Sequence, residues 1–583
     1  IAGGEIAGEV YAAFSDNSRS VLTNNVVNLG DGKRALPVNI SKFVWVARGK
    51  YGATSSGNTL NVKTRAEADY VSGFEKLNFY FNGALQPKLT LRKSMDLKIA
   101  SLNDIGVYGS PQTKSGTLIE KERGKIKIKD GVTSATVTGD TAEMTLRLDS
   151  TEKNLGYTRW IFKGATIAES EGADTWGGRS TVGNTTTENA ITIDSGTHTN
   201  VYGGWTTGTG STAAAERRGD STKNTVTITG GTIGTVYSGF TDAVNGTTHD
   251  NTVNLGDGAH PLAPGTTIVE LYGGNRTATG NTLNVNTAAT VGRIENFSTV
   301  VFKNASSQLT LTQVGAHFDL DAIQADFAAT ENPVTLVHNA AGLNLSHYRK
   351  LTSTLSDNDT KETNIEVLET GGKKTDIVRY AYRFRDVTAA TSLGTDTWGG
   401  RSRAGNTTTG NAVTIASGTH TNVYGGWTTG TGSTASADRR GDSTKNSVTI
   451  KDNAAVTNVF GGFTDVAGGR AERNIVSLKD VPVTGPVTGG RGTVTNDNVI
   501  RLRNAKVTGL VTGGTGQGTG NTLAVYYSTG TSEIGDFDGI QNLHFDLEAA
   551  PPRGAHTLLK LTAVGGDKHL TGMKIDFHRD GAA

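Results

Sequence analysis

A passage written twice sets the terms on which this chain can fold. Residues 174–229, from Asp174 to Thr229, return at 396–451 with nine positions changed, 222 residues further on. Segments of that length do not match through shared composition, so the passage is an internal duplication and repeats take precedence over single-domain templates. Inside it lies a shorter grammar. One phrase is Asn followed by alternating apolar residues, as at Asn189 to Ile193 and Asn224 to Ile228. It recurs at Asn25, Asn58, Asn251, Asn281, Asn411, Asn446, Asn474, Asn498 and Asn521. The other is Val-aromatic-Gly-Gly, as at Val201 to Gly204, and recurs with drift at Val10, Val46, Val236, Leu271, Val423, Val459, Val487 and Val511. In regular units Asn leads to Val by 12 or 13 residues, and a plain unit closes in 22 to 24.

Side chains alternate along a strand, so Asn224, Val226 and Ile228 share one face, and that face points inward. An inward Asn must be paired, which predicts Asn side chains stacked from unit to unit as a ladder. In the second phrase Val or Leu comes first and faces in. The next position runs Tyr11, Tyr202, Tyr237, Tyr272, Tyr424, Phe460, Thr488 and Thr512; tolerating polarity, it faces out. The Gly pair is expected to turn a corner. Insertions enter at fixed places, the longest between Val201 and Asn224 and between Val423 and Asn446. The reading is an all-β solenoid, a parallel β-helix with loop insertions and small irregular appendages. At about 4.8 Å per coil, some twenty coils make a rod on the order of 100 Å.

Three blocks follow: 1–165 as an incomplete first copy, 166–387 as a second and 388–583 as a third. The less regular stretches 120–165 and 338–387 read as degenerate coils or β appendages, with a short helix near Asp321 to Phe327.

Composition agrees. The 583 residues hold 77 Gly but 10 Pro, and sustained helical periodicity is scarce,. Lys and Arg number 56 against 55 acidic residues, so no global field draws the chain to nucleic acid,. No run of about 20 apolar residues could span a bilayer as a helix. Cysteine is absent, which removes disulfides and thiolate chemistry,. The chain opens at Ile1 without initiator Met or signal peptide, and is expected to be a mature or excised piece.

The Asn-led coil, the recurring Val-Tyr-Gly-Gly turn, the Gly/Thr/Asn bias and the missing cysteines resemble the passenger regions of type V autotransporters. The likeness covers about three quarters of the chain and is one of architecture and composition. It implies a right-handed β-helix, secretion through an outer-membrane barrel that this sequence lacks, and display at the surface of a Gram-negative bacterium or release from it. The implied role is adhesion or self-association.

For chemistry the sequence holds no nucleophile elbow, HExxH, P-loop, EF-hand or RTX nonapeptide,. His198 and its copy His420 lie in tight connections where a turn role outweighs metal binding. A carbohydrate-degrading β-helix would gather carboxylates on one strand face. The clearest candidate, Asp194, is Ala416 in the duplicate. No enzyme activity and no cofactor is expected. Two binding candidates remain. Arg218-Gly219-Asp220 and Arg440-Gly441-Asp442, each followed by Ser, sit in the longest insertions, where an exposed Gly-hinged loop would offer a guanidinium and a carboxylate to a receptor. The plain alternative is that Asp220 starts the turn into the Asn224 strand. Trp176, Trp205, Trp398 and Trp427, with Tyr202, Tyr237, Tyr272 and Tyr424, form an outward stripe that would stack on sugar or peptide, or merely cover the sheet. The expectation is an adhesin binding host protein, host glycan or itself, with a polysaccharide-degrading enzyme or a passive stalk as alternatives.

Overall fold

The structure, a computed structural model, describes residues 1–579 other than 84, 110, 140, 211–213, 277, 347–353, 356–359, 433–438, 529, 549–553 and 564–569. It is all-β and built largely of parallel sheets; among the described residues the helical elements are three single 3-10 turns. The chain divides into two compact units, residues 1–327 with 339–347, and residues 328–338 with 348–583.

In the first unit each Asn-led phrase forms a short strand. Ala190–Ile193, Thr225–Ile228, Thr252–Leu255 and Thr282–Val285, followed by Thr299–Phe302 and Ile323–Ala325, which have no leading Asn, run parallel in that order. The Val-led phrases at Val201, Val236 and Leu271 lie in a second parallel set, Asp174–Ser180, Thr197–Thr206, Thr232–Thr241, Thr267–Tyr272, Ala289–Glu295 and Leu309–Leu311. Two-residue strands such as Ser221–Thr222 and Thr248–His249 make a third. Val226, Val253 and Leu283 face one another on adjacent strands, and each is fully buried. Burial of each such side chain stabilises by about 1.5–3 kcal/mol. Register holds because the apolar set of every strand lies on one side, and a slip of one residue would turn it to solvent.

Residues 1–121 repeat the scheme, with Val26–Leu29, Thr59–Val62, Lys76–Tyr80 and Ile105–Tyr108 stacked in parallel. The stretch 120–165 is an antiparallel meander, Ser134–Thr138, Ala142–Leu148 and Asn154–Ile161. In the second unit the counterpart is the antiparallel pair Lys361–Thr370 and Lys373–Arg383; residues 347–353 and 356–359 lie outside the described residues. Beyond it Ala412–Ile415, Ser447–Lys451, Ile475–Lys479, Val499–Arg503, Thr522–Tyr527, Asn542–Leu547 and Lys574–His578 stack in parallel. The helix expected near Asp321 is one 3-10 turn, Leu320–Ala322, whose chain continues at once as strand.

The Asn ladder is present in both units. Asn189 Nδ2 donates to Asn224 Oδ1 at 2.7 Å, Asn224 to Asn251 at 3.0 Å and Asn251 to Asn281 at 3.2 Å. Asn411, Asn446, Asn474, Asn498 and Asn521 form the second ladder. Each Oδ1 also accepts the backbone N–H of the preceding Asn, so these buried amides are satisfied,. The residue before every ladder Asn is left-handed: Gly57, Gly280, Gly410 and Gly520 at some corners, Glu188, Lys223, Asp250, Lys445, Arg473 and Asp497 at others.

One expectation is corrected. The Gly pair turns no corner: Gly203 and Gly204 lie inside an extended strand and have no positive φ. Their missing side chains make room for the ladder, since a Cβ on Gly204 would stand 2.4 Å from Asn224 Nδ2.

Candidate functional site

The two RGDS insertions fold alike in their described parts; residues 211–213 and 433–438 lie outside them. Asp220 is 7% exposed. Its carboxylate accepts the backbone N–H and the hydroxyl of Thr247 one coil on, both at 2.9 Å. Asp442 accepts the Arg470 N–H at 3.0 Å. Gly219 and Gly441 sit at φ +76°, and a Cβ would stand 2.4 Å from Ala243 or 2.5 Å from Val466. Arg218 folds back, Nε 3.7 Å from Asp220, and Arg440 does the same at 4.0 Å. The expectation of an exposed charge pair is therefore corrected: Asp220 and Asp442 are corner residues that satisfy the next coil's backbone. Arg218 and Arg440 alone of the motif's charged groups face solvent.

The aromatic stripe runs on the sheet face opposite the core, as expected, but much of it is covered. Trp176 and Trp398 are each 1% exposed, and Tyr202 and Tyr424 are buried. Tyr202, Tyr237 and Tyr272 stack face to face at 5.6 and 4.9 Å. Tyr202 also lies flat on Trp205 at 4.4 Å, and Tyr424 on Trp427 at 4.3 Å. Burial pushes the phenols of Tyr202 and Tyr424 up to about 12. Ring faces are thus turned to one another, and edges are what Trp205, Tyr237, Tyr272 and Trp427 present at the half-buried margin. Of the readings open for the stripe, stacking on sugar needs a free ring face, and these faces are stacked on one another.

A second column, of which the sequence reading named Trp205 and Trp427 alone, runs three residues beyond the first. It holds Arg179, Trp205 and Phe240 in one copy and Arg401, Trp427, Phe463 and Arg491 in the other. The guanidinium of Arg179 lies 4.0 Å over Trp205 and 4.5 Å over Trp160, and Arg401 lies 3.9 Å over Trp427 and 4.9 Å over Tyr382. Arg491, exposed, lies 4.9 Å over Phe463. Such contacts contribute about 0.5–2 kcal/mol each. The signal was available: aromatic, two residues, then aromatic or Arg recurs at Tyr11 and Phe14, Trp45 and Arg48, Trp176 and Arg179, and Phe460 and Phe463.

Also missed are two buried carboxylates. Glu143, from the first meander, accepts from Ser180, Thr181 and Asn184. Glu362 accepts from Ser402 at 3.2 Å, Asn406 at 3.0 Å and the Arg403 N–H. Both are 0% exposed. They tie each antiparallel appendage to the start of the duplicated passage. Burial raises the Glu362 carboxyl above its ordinary value against the pull of these bonds.

His198 and His420 take the turn role: Nε2 faces the Ser195 or Ser417 carbonyl and Nδ1 the Thr175 or Thr397 hydroxyl. A carbonyl only accepts, so Nε2 carries the proton and Nδ1 accepts. Among the described residues no three His, Asp or Glu side chains are grouped to hold a metal ion. None of the helices there is long and apolar enough to cross a membrane. The chain matches no family model, no curated protein and no solved structure.

Proposed function

We propose that the chain is a surface-displayed or secreted adhesin of a Gram-negative bacterium, the passenger part of a type V autotransporter folded as a right-handed parallel β-helix. Its partner is a protein surface, on a host cell or on a second copy of the chain. The observation that carries this reading is the outer-face pair of columns. Trp205, Tyr237 and Phe240, and Trp427, Phe463 and Arg491, keep apolar edges and a guanidinium at the solvent margin of a sheet whose core lies on its other side. Aromatic and Arg side chains, here half-buried or exposed at the margin of the sheet, are the residue types that dominate protein partner sites,. With ring faces already stacked, edges and guanidinium suit a protein partner better than the flat face of a neutral sugar.

The test displays the chain on non-aggregating bacteria and measures clumping and host-cell attachment beside a Phe240→Ser/Phe463→Ser variant of unchanged circular dichroism. Loss of both supports the reading. Retention of both by the variant, or neither in the parent, would overturn it.

A further inference from the structure

We propose that the second copy keeps an open seat for a guanidinium, an arginine side chain carried by the protein partner. This rests on the partner reading above and names the chemistry that reading turns on. In each copy one outward aromatic, Tyr11, Tyr237 or Phe460, is followed by Phe three residues on and by Asp five residues on: Phe14 and Asp16, Phe240 and Asp242, Phe463 and Asp465. On the next strand the first and third copies set an arginine opposite that ring, Arg48 facing Phe14 and Arg491 facing Phe463. The guanidinium groups lie over the rings, 5.9 Å from the Phe14 centroid and 4.9 Å from that of Phe463. In the second copy Tyr237 stands opposite Tyr272, and counting three residues on puts Asn275 opposite Phe240.

Asn275 does not take the arginine's part. Its carboxamide is turned to the backbone, accepting the Thr241 N–H at 3.0 Å and donating to the Thr241 carbonyl at 2.8 Å. The nearby cations are engaged elsewhere. Arg276 donates to the carbonyls of Asp242, Ala243 and Val244. Arg293 is held by Glu270 and Glu295 and lies over Tyr272. Among the described residues no cation lies over Phe240.

The ring face is within reach. Phe240 is half-buried and meets Tyr202 and Tyr237 edge to face, at 5.4 and 5.2 Å. Phe463, also half-buried, meets Tyr424 and Phe460 edge to face in the same way, each at 5.5 Å, and still carries Arg491. The packing that leaves Phe463 a face for its own arginine thus leaves Phe240 a face for one from outside. Asp242, two residues beyond Phe240 and so on the same side of the strand, is exposed and has no cation partner among the described residues,. A guanidinium can stack on the ring and turn its fork to this carboxylate, a pairing of plane and charge that a neutral group lacks.

The test titrates the whole chain with N-acetylarginine amide and with its citrulline counterpart, the same shape without the charge, followed by NMR of labelled phenylalanine. It reads the seat whether or not the chain adheres, so a failed attachment assay and a failed titration are told apart. The arginine amide is expected to bind about fivefold more tightly than the citrulline amide, a ratio set by one exposed ring contact and one exposed ion pair. Asn275→Arg, which gives the second copy the residue type of the other two, should fill the seat. Asp242→Asn, which keeps an acceptor for the Gly208 N–H, should bring arginine down to the citrulline level. Arg491→Asn should add a second response, at Phe463. Arginine bound no better than citrulline, or undiminished in both Asn275→Arg and Asp242→Asn, would overturn the proposal.

Discussion

Gly204 and Asn224 occupy adjoining space so tightly that a methyl group on the glycine would lie 2.4 Å from the carboxamide nitrogen. The same closeness recurs at Gly178 and Asn189, Gly239 and Asn251, Gly426 and Asn446, and Gly462 and Asn474. The two repeated phrases are thus one device: the glycine of one strand is the seat of the asparagine of another.

Gly204→Ala should cost about 1–3 kcal/mol through overpacking. Asn224→Ala should cost a similar amount, about 1–3 kcal/mol, by orphaning the Asn189 donor. Removing the asparagine relieves one of three close contacts, the others being Thr186 Oγ1 at 2.5 Å and Ser221 Oγ at 2.7 Å, so the double variant should be more stable than the sum of the single losses by about 0.5 kcal/mol,. Urea unfolding of the three variants measures this; strict additivity would show that the two residues do not share the space.

Glu188 stands in the left-handed region at φ +60°, where the duplicate carries Gly410. Glu188→Gly should therefore leave stability unchanged or raise it, by up to about 1 kcal/mol, as relief of the left-handed strain outweighs the extra freedom of the unfolded chain. Gly410→Glu should lower it. Thermal melts of the pair decide the sign.

Asp220→Ala strips the acceptor from the Thr247 N–H and hydroxyl, and should destabilise by about 1–3 kcal/mol. Attachment to host cells, corrected for folded fraction, should not change, and a soluble RGD peptide should not compete. Competition by the peptide would show that the loop opens to present its carboxylate.

Glu362 carries the pH dependence. Burial raises its carboxyl above the ordinary 4.5 in the folded chain. The ionised form is thus penalised by folding; the penalty is absent below the ordinary value and grows as pH rises through the folded one. Relative to Glu362→Gln, the parent should gain stability on acidification from neutral pH toward about 5, the slope following the proton taken up by the folded state. Denaturation midpoints at several pH values for parent and variant check this. Parallel curves would place the titration elsewhere.

Much of the coil was legible because its determinants are local and repeated. Val226, Val253 and Leu283 can be aligned by counting from Asn224, Asn251 and Asn281, and an inward Asn at each coil leaves little choice but a ladder. The columns were half legible. The alternation that put Tyr202 outside was right, but which outside residues lose solvent depends on Trp160 and Tyr382, which come from the irregular meanders. The RGDS loops left a presented charge pair and a turn-starting Asp220 both open, for a related reason. Insertion length argues for exposure, whereas the fate of Asp220 was decided by Thr247, a residue with no motif. Glu143 and Glu362 were invisible because their partners lie about 40 residues away and only tertiary contact joins them.

The twin passages bring a hazard of mistaken identity. Glu143 finds Ser180 and Asn184, Glu362 finds Ser402 and Asn406, and the strand edges flanking these loops offer nearly the same side chains. A chain released from denaturant can therefore clasp the wrong twin, forming a shortcut that deletes the intervening coils from the stack, or reach across to a neighbouring molecule. Order of emergence, more than final stability, would then decide which partner each carboxylate meets.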